Sequence, residues 1–324
     1  MKSRFFIILV FSLIFSFCAS ESSRNDSSNK NIDENSESIK LESENVLPYL
    51  AQGATYERLK KYKKALKSYN QAIKASPKYF PSYFRRGYLY SYLGKHKKAI
   101  TDFTKVINLN SNYIPAHYFR GVSHGRLGEY NFAIRDFNKT IELNPKFPGA
   151  YHDLGIAYFY INDLSKAMKS FNSAIELNPK YTSAFYYKGL IFTRRQKYDL
   201  ALENFNHSIK LDPNFYPAYS DRGLVYGALA KFDEAIKDVN YAIKLSPNYF
   251  PAHFKRGYLY FHLGKYEEAV KDFTRAIELN PNDYRYYYHR GLTYNKLGKH
   301  KEAIKDFNRA IELNPSLEKQ NIKK

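Results

Sequence analysis

A single period governs this sequence: a glycine returns every 34 residues through most of the chain, without an insertion or deletion. An alanine follows each of these glycines by twelve residues, from Ala65 in the first copy to Ala303 in the last. A fixed interval of this length predicts a stack of similar supersecondary units, because such a unit buries its apolar face only against its neighbours. The eight glycines are Gly53, Gly87, Gly121, Gly155, Gly189, Gly223, Gly257 and Gly291.

The pattern inside one copy predicts two helices that pack against each other. In the second copy, Tyr83 and Tyr90 lie four residues before and three residues after Gly87, which places them on one helical face. Gly87 has no side chain and so lets another helix approach closely. Ala99 and Phe103 have the spacing of the facing stripe on that second helix. A proline closes most copies, because proline cannot continue a helix.

These features resemble the tetratricopeptide repeat, which has the same period, glycine, small positions and closing proline. The opening tryptophan of that family is replaced here by tyrosine, histidine or phenylalanine. The resemblance covers residues 46–317 and implies an all-α fold, a right-handed superhelical solenoid of antiparallel helix pairs. The predicted units are 46–79, 80–113, 114–147, 148–181, 182–215, 216–249, 250–283 and 284–317.

The N-terminus predicts an export signal over residues 1–20. Lys2 and Arg4 precede an apolar run from Phe5 to Phe17, which is too short to span a bilayer and has the length of a signal-peptide core. Cleavage after Ser20 and retention as a membrane anchor are both open. We therefore expect an exported protein of the periplasm or cell envelope.

The same segment resembles a bacterial lipoprotein signal, in which a cysteine becomes the lipidated first residue. Cys18, the single cysteine of the chain, is the candidate for lipidation. Phe17 departs from that family, which has a small residue before the cysteine. Lipidation of Cys18 and simple cleavage remain alternatives.

The segments before and after the repeats differ from each other in charge. The chain carries a formal net charge of +20, whereas residues 21–45 contain three basic and seven acidic residues and no aromatic ring. Such a segment cannot bury enough apolar surface to order itself, so we predict a disordered acidic linker there. Residues 318–324 form a short basic tail.

In the resembled family, the first helices line a concave groove, and here that groove is predicted to be aromatic and apolar with interleaved arginine. Tyrosine and arginine dominate binding hot spots, so we expect the groove to bind extended or helical polypeptide segments. The alternative is that many rings only pack between adjacent helices. The Lys and Asn with which one branch of the family grips a C-terminal carboxylate are missing at the matching positions. The predicted groove residues are Phe84, Tyr88, Tyr92, Tyr118, Arg126, Phe159, Tyr160, Tyr186, Arg194, Phe254, Tyr258, Phe261 and Tyr288.

Lysines concentrate on the second helices and the turns before them, as at Lys95, Lys97 and Lys98. A solvated outer face explains them. The alternative hypothesis is a membrane-surface assembly factor whose basic face docks on anionic lipid. Nucleic acid is not expected, because the chain has an export signal and no RNA-binding motif.

Catalytic signals are weak. Gly121 to Gly125 match the G-x-S-x-G elbow around Ser123, but that motif needs a strand-to-helix turn and falls here within a predicted helix. The histidines follow the repeat and do not cluster as ligands. We therefore predict a protein that is not an enzyme, with no metal and no cofactor.

The eighth unit is followed only by residues 318–324, too few for the polar capping helix that usually ends a solenoid. We hypothesise that this end is covered by a partner or a second copy, which would allow self-association.

Overall fold

The structure is a computed structural model that describes residues 33–317, with side chains from residue 45 onward. Within this range all regular elements are α-helices, sixteen in number, and they alternate along the chain as the first and second helices of eight units. The first helices are α1 (Asp33–Arg58), α3 (Phe80–Tyr92), α5 (Ile114–Arg126), α7 (Pro148–Tyr160), α9 (Thr182–Arg194), α11 (Tyr216–Ala228), α13 (Phe250–His262) and α15 (Tyr284–Lys296). The second helices are α2 (Tyr62–Ala75), α4 (His96–Leu109), α6 (Tyr130–Leu143), α8 (Leu164–Leu177), α10 (Tyr198–Leu211), α12 (Phe232–Leu245), α14 (Tyr266–Leu279) and α16 (His300–Leu313).

The repeat glycine allows the two helices of a pair to approach closely, as predicted. A Cβ atom added at Gly155 would lie 2.6 Å from Cε1 of Phe171, and one added at Gly189 would lie 2.6 Å from Cε1 of Phe205. Ala167, twelve residues after Gly155, is fully buried against the same helix pair. The spaced glycine, alanine and aromatic therefore pack together in these pairs, and Val239 takes the place of the aromatic beside Gly223.

The turn between the helices of a pair requires a left-handed residue. Glycine takes this conformation at Gly94, Gly128, Gly264 and Gly298, with φ between 71° and 76°. In the other four units a residue with a side chain takes it, at Lys60, Asn162, Gln196 and Ala230. Because a Cβ atom disfavours this region, those four turns are strained relative to the glycine turns.

The described residues form two compact units, one up to Leu89 and one from Tyr90 onward. In the first, Val46 and Tyr69 are fully buried, and the Tyr69 hydroxyl donates a 2.8 Å hydrogen bond to Glu57. Burial raises the pKa of Glu57, partly offset by that hydrogen bond.

In the second unit the helices pack in sequence, each second helix against the first helix of the next repeat. From α5 to α15, the first helices of adjacent repeats also contact each other, whereas no second helix of this described part contacts another second helix. The first helices therefore form the inner layer of this unit, and the second helices form the outer layer.

The structure differs from the predicted linker at one place, because α1 begins at Asp33 and residues 33–45 are therefore helical. The composition argument concerned burial in a core, but helix formation is local. Residues 33–45 contain no glycine or proline and carry Glu, Lys and Leu, which favour helix. The export signal, Cys18, linker residues 21–32 and the basic tail lie outside the described residues.

Candidate polypeptide-binding surface

Two tyrosines of the inner layer are bonded to carboxylates of the following repeat. The Tyr118 hydroxyl donates to Oδ2 of Asp153 at 2.8 Å, and the Tyr186 hydroxyl donates to Oδ2 of Asp221 at 2.9 Å. Burial and then the neighbouring carboxylate raise the pKa of both tyrosines well above its usual value. Both hydroxyls therefore remain donors at any physiological pH, and each fixes its ring relative to the next repeat.

Asp153 belongs to a network that spans three repeats. Its Oδ1 lies 2.8 Å from Nδ1 of His152, and Nε2 of His152 lies 2.8 Å from the Ser183 hydroxyl. With a neutral imidazole, Nδ1–H donates to Asp153 and the Ser183 hydroxyl donates to Nε2. Both carboxylate oxygens of Asp153 therefore have partners within the protein, and Asp153 orients the side chains of Tyr118 and His152.

Asp221 is neutralised by a lysine. Nζ of Lys255 lies 2.6 Å from its Oδ1, opposite the oxygen that accepts from Tyr186. All three side chains are largely shielded from solvent. Tyr249 packs nearby, edge-on to Tyr216, and burial followed by the Asp221 charge raises the pKa of Tyr249. The inner-layer acids are therefore paired within the molecule.

A second aromatic group lies in the inner layer of the last two repeats. Phe254 and Tyr258 on α13 contact the His289 ring on α15, with ring centroids 5.3 Å and 5.6 Å apart. Tyr258 also lies edge-on to His262 at 4.5 Å. Burial, with smaller contributions from His262 and Arg285, lowers the pKa of His289, which is therefore neutral at pH 7. The rings of Phe254, Tyr258, Phe261 and Tyr288 are all partly exposed.

The last residues of four consecutive first helices form a row that we call the basic–aromatic edge: Tyr92, Arg126, Tyr160 and Arg194. All four side chains are exposed, Tyr92 by 45 % and Tyr160 by 55 %. The Tyr160 ring stacks flat on Tyr130, with centroids 5.0 Å apart and planes at 5°. This edge therefore presents alternating rings and guanidinium groups.

Of the thirteen predicted groove residues, eleven are partly or fully exposed and two are buried. Phe84 is 3 % exposed and Phe159 is 5 % exposed. Phe159 packs in the core with Ile191 and Phe171, and its ring face is covered by the Arg194 guanidinium at 3.8 Å. The burial of these two rings favours the alternative that they pack between helices.

Sequence reasoning missed the charged residues of the inner layer, namely Asp153, Asp221 and Lys255. Each stands one residue after a position in the series, spaced by 34 residues, that contains Tyr118, Tyr186 and Phe254. The same spacing from the repeat glycine, two residues before it, would have revealed them.

Sequence reasoning also missed a recurrent ion pair inside the repeats. Arg120 binds Asp136 through two hydrogen bonds of 2.9 Å and 2.7 Å and donates a third, of 3.1 Å, to Thr104 of the preceding repeat. Arg256 makes the same two contacts with Asp272. Equivalent pairs are Arg222–Asp238 and Arg290–Asp306.

The internal copies contain a signal for this pair. Where arginine precedes the repeat glycine, aspartate stands 16 residues later; where Gln52, Leu154 or Lys188 precedes it, the aspartate is replaced by serine or asparagine. The two positions therefore change together among the copies, which is the pattern expected of residues in contact.

Ser123, the serine of the G-x-S-x-G match, is fully buried within α5 and donates a 2.8 Å hydrogen bond to the carbonyl oxygen of Phe119. That arrangement is ordinary helix packing. Across the described residues, no three His, Cys, Asp or Glu side chains come together as a metal site. None of the described helices combines the length and apolarity needed to cross a bilayer.

Models of the tetratricopeptide repeat family match residues 46–79, 80–113, 114–147, 148–181, 216–249, 250–283 and 284–317. The matches cover more than half of the chain and show that it belongs to the tetratricopeptide repeat family. Tetratricopeptide repeats generally act in protein–protein interaction and are generally non-catalytic.

Solved structures share this fold. A tetratricopeptide repeat protein from Parabacteroides merdae aligns with a TM-score of 0.68 and 21 % identity, over 78 % of this chain and all of that chain. The APC/C hetero-tetramer Cut9–Hcn1 aligns with a TM-score of 0.64 and 17 % identity, over 78 % of this chain and 49 % of that chain. MamA from Desulfovibrio magneticus RS-1 aligns at 0.51 and 22 %, over 53 % of this chain and 97 % of that chain. No curated protein sequence matches the chain.

Proposed function

We propose that this protein is a non-catalytic scaffold that binds polypeptide segments along the inner layer of its first helices. The observation that supports this most directly is a series of partly exposed rings whose orientations are fixed by the neighbouring repeat. Tyr118 is held by Asp153, and Tyr258 packs against His289. A surface held in place before binding loses little conformational entropy when a ligand docks. Rigid rings with polar tips are also the side chains that contribute most to binding.

Site-specific photo-crosslinking tests the proposal. A photoreactive phenylalanine analogue replaces Tyr258 or Tyr288 on the inner layer, and in control variants it replaces Phe132 or Tyr241, which are exposed on second helices. We expect polypeptide adducts in the native extract from the inner positions and none from the outer ones. Equal adduct yields from both layers would contradict the inner-layer assignment.

We also propose that the chain is exported and acts in the cell envelope, in which case its repeats meet partners outside the cytoplasm. The support is the sequence of residues 1–20, with its basic start, apolar run and Cys18. Metabolic labelling with a fatty acid, comparing the wild type with Cys18→Ser, separates lipidation from simple cleavage. Recovery of the full-length, unlabelled chain in the cytoplasmic fraction would contradict export.

A further inference from the structure

Two arginines of the basic–aromatic edge carry charges that the protein does not neutralise. Across residues 45–317, neither Arg126 nor Arg194 has a carboxylate within ion-pair distance. This separates them from Arg120 and Arg256, each of which binds an aspartate in two places. The closest polar partner of the Arg194 guanidinium is the Asn162 side chain, at 3.5 Å.

Two acidic side chains near this edge have partners other than its arginines, and Asp199, the acid that follows Arg194 in the sequence, makes no ion pair with it. Glu129, in the turn after Arg126, lies 2.6 Å from Nδ1 of His124. Asp163, in the next turn, caps α8 through the backbone N–H of Lys166 and lies 2.9 Å from Nζ of that lysine. Arg126 and Arg194 therefore have no carboxylate partner in the described part of the chain, and the chain as a whole carries a net charge of +20.

The groups on this edge are held in place before any ligand arrives. The guanidinium carbon of Arg194 lies 3.8 Å from the centroid of the Phe159 ring, a cation–π contact that restrains the guanidinium group. Tyr160 is fixed by stacking on Tyr130 and by an edge-on contact with Phe159 at 5.8 Å. An exposed ring thus lies between two exposed guanidinium groups, one at the end of each flanking first helix.

We propose that the basic–aromatic edge binds an acidic, extended segment of a partner protein, with its carboxylates on Arg126 and Arg194 and its backbone or an apolar side chain over Tyr160. The inference rests on the proposed function and names the chemistry of the polypeptide. An arginine fork matches a carboxylate with two parallel hydrogen bonds. In an extended segment, alternate side chains point to the same side, so acidic residues along it can meet successive cations. A positive charge at a helix C-terminus interacts favourably with the helix dipole, which explains arginine at these positions. It does not explain why arginine alternates with tyrosine.

Binding of defined peptides by the full chain tests this inference. The probe is a fluorescein-labelled peptide of glutamate, serine and phenylalanine, and its partner is the same peptide with glutamine at each glutamate. The test variant is Arg126→Gln with Arg194→Gln. The control variant is Arg275→Gln with Arg309→Gln, which removes the same charge from exposed second-helix arginines that pair with Glu278 and Glu312.

We expect the wild type to prefer the glutamate peptide and the test variant to bind it about tenfold more weakly, as two partly exposed ion pairs would contribute. The control variant should bind it nearly as the wild type does. Equal weakening by both variants would overturn the inference, because net charge alone would then explain binding.

The remaining outcomes are also decisive. If the wild type and the test variant bind both peptides equally well, this inference is wrong but the proposed function stands. If the wild type binds neither peptide, that result also counts against the proposed function. Vesicles of phosphatidylglycerol form the last arm. If the wild type binds the vesicles but neither peptide, and the test variant no longer binds the vesicles, then the edge is a lipid-binding surface. The assignment to an acidic peptide is wrong in that case.

Discussion

The two central repeats, residues 148–215, are linked to their neighbours differently from the repeats on either side. In the flanking repeats, an arginine such as Arg256 binds an aspartate of its own repeat and donates to Asn240 of the preceding repeat at 2.6 Å. In the central repeats the arginine is replaced by Leu154 and Lys188. Lys188 is partly buried, and that burial lowers its pKa.

Three polar contacts at the boundaries of the central repeats lie on the inner layer. Tyr118 reaches Asp153 across one boundary, His152 reaches Ser183 across the next, and Tyr186 reaches Asp221 across the third. The flanking repeats thus combine their arginine links with one ion pair on the inner layer, between Lys255 and Asp221. The central repeats lack the arginine links and keep contacts on the inner layer, which is the candidate binding surface. The comparison indicates that, in the centre of the array, the same inner-layer side chains both link adjacent repeats and form part of the candidate binding surface.

The largest expected effect comes from breaking an arginine–aspartate pair. Asp272→Ala leaves the half-buried Arg256 with only its amide partner, so we expect a loss of about 3 kcal/mol in the free energy of unfolding. Ser170→Ala at the matching central position should cost less than about 1 kcal/mol. Urea unfolding measures both, and equal costs would show that the pairs do not distinguish the two regions. The double variant Arg256→Met with Asp272→Leu is expected to recover most of the loss, because it leaves no unpaired charge.

The same pair gives a pH dependence. Burial raises the pKa of Asp272, but the two hydrogen bonds from Arg256, the neighbouring His253 ring and the arginine charge outweigh it, so the pKa lies below its ordinary value of 3.8. A carboxyl with a lowered folded pKa stabilises the protein above its unfolded pKa, and this stabilisation disappears as the pH falls through the folded pKa. We expect part of the acid-induced loss of stability below about pH 4 to be absent in Asp272→Ala. Identical acid profiles in both proteins would contradict this.

The sequence predicted the helix pairs because their signals, such as Gly155 and Ala167, depend only on spacing within one repeat. It did not predict which rings are accessible, because that depends on the next repeat. Phe159 and Tyr160 are adjacent in the chain, yet one is buried and the other is exposed by 55 %. The bond from Tyr118 to Asp153 joins residues 35 positions apart, so no pattern within a single repeat could reveal it.

A second comparison concerns the tightness of the helix pairs. A Cβ atom at Gly155 would lie 2.6 Å from the Phe171 ring, whereas one at Gly257 would lie 3.0 Å from the Phe273 ring. We expect Gly155→Ala to cost about 2 kcal/mol and Gly257→Ala about 1 kcal/mol, because overpacking grows with the overlap. Thermal unfolding monitored by circular dichroism orders the two variants. A larger cost at Gly257 would indicate that the flanking pairs have less room to adjust.

The inner-layer hydroxyls allow a smaller and more specific test. Tyr118→Phe removes the hydrogen bond to Asp153 but keeps the ring, so we expect a loss of about 1 kcal/mol. Tyr288→Phe is the matched control, because Tyr288 holds the same position in its repeat and its hydroxyl has no partner among the described residues. Denaturant unfolding of both should show a loss only in the first. An equal change would mean that the Asp153 bond does not contribute to stability.

The smallest expected effect is a gain at the turns. Ala230 has φ of 58°, whereas Gly264 holds the equivalent turn of the next repeat at 71°. Ala230→Gly should raise the free energy of unfolding by about 0.5 kcal/mol, because glycine adopts this conformation without the Cβ clash and the relief exceeds the added freedom of the unfolded chain. Asn162→Gly in a central repeat should gain less, since asparagine tolerates the left-handed region better than alanine. If both substitutions destabilise the protein equally, turn strain is not what separates these repeats from those with glycine.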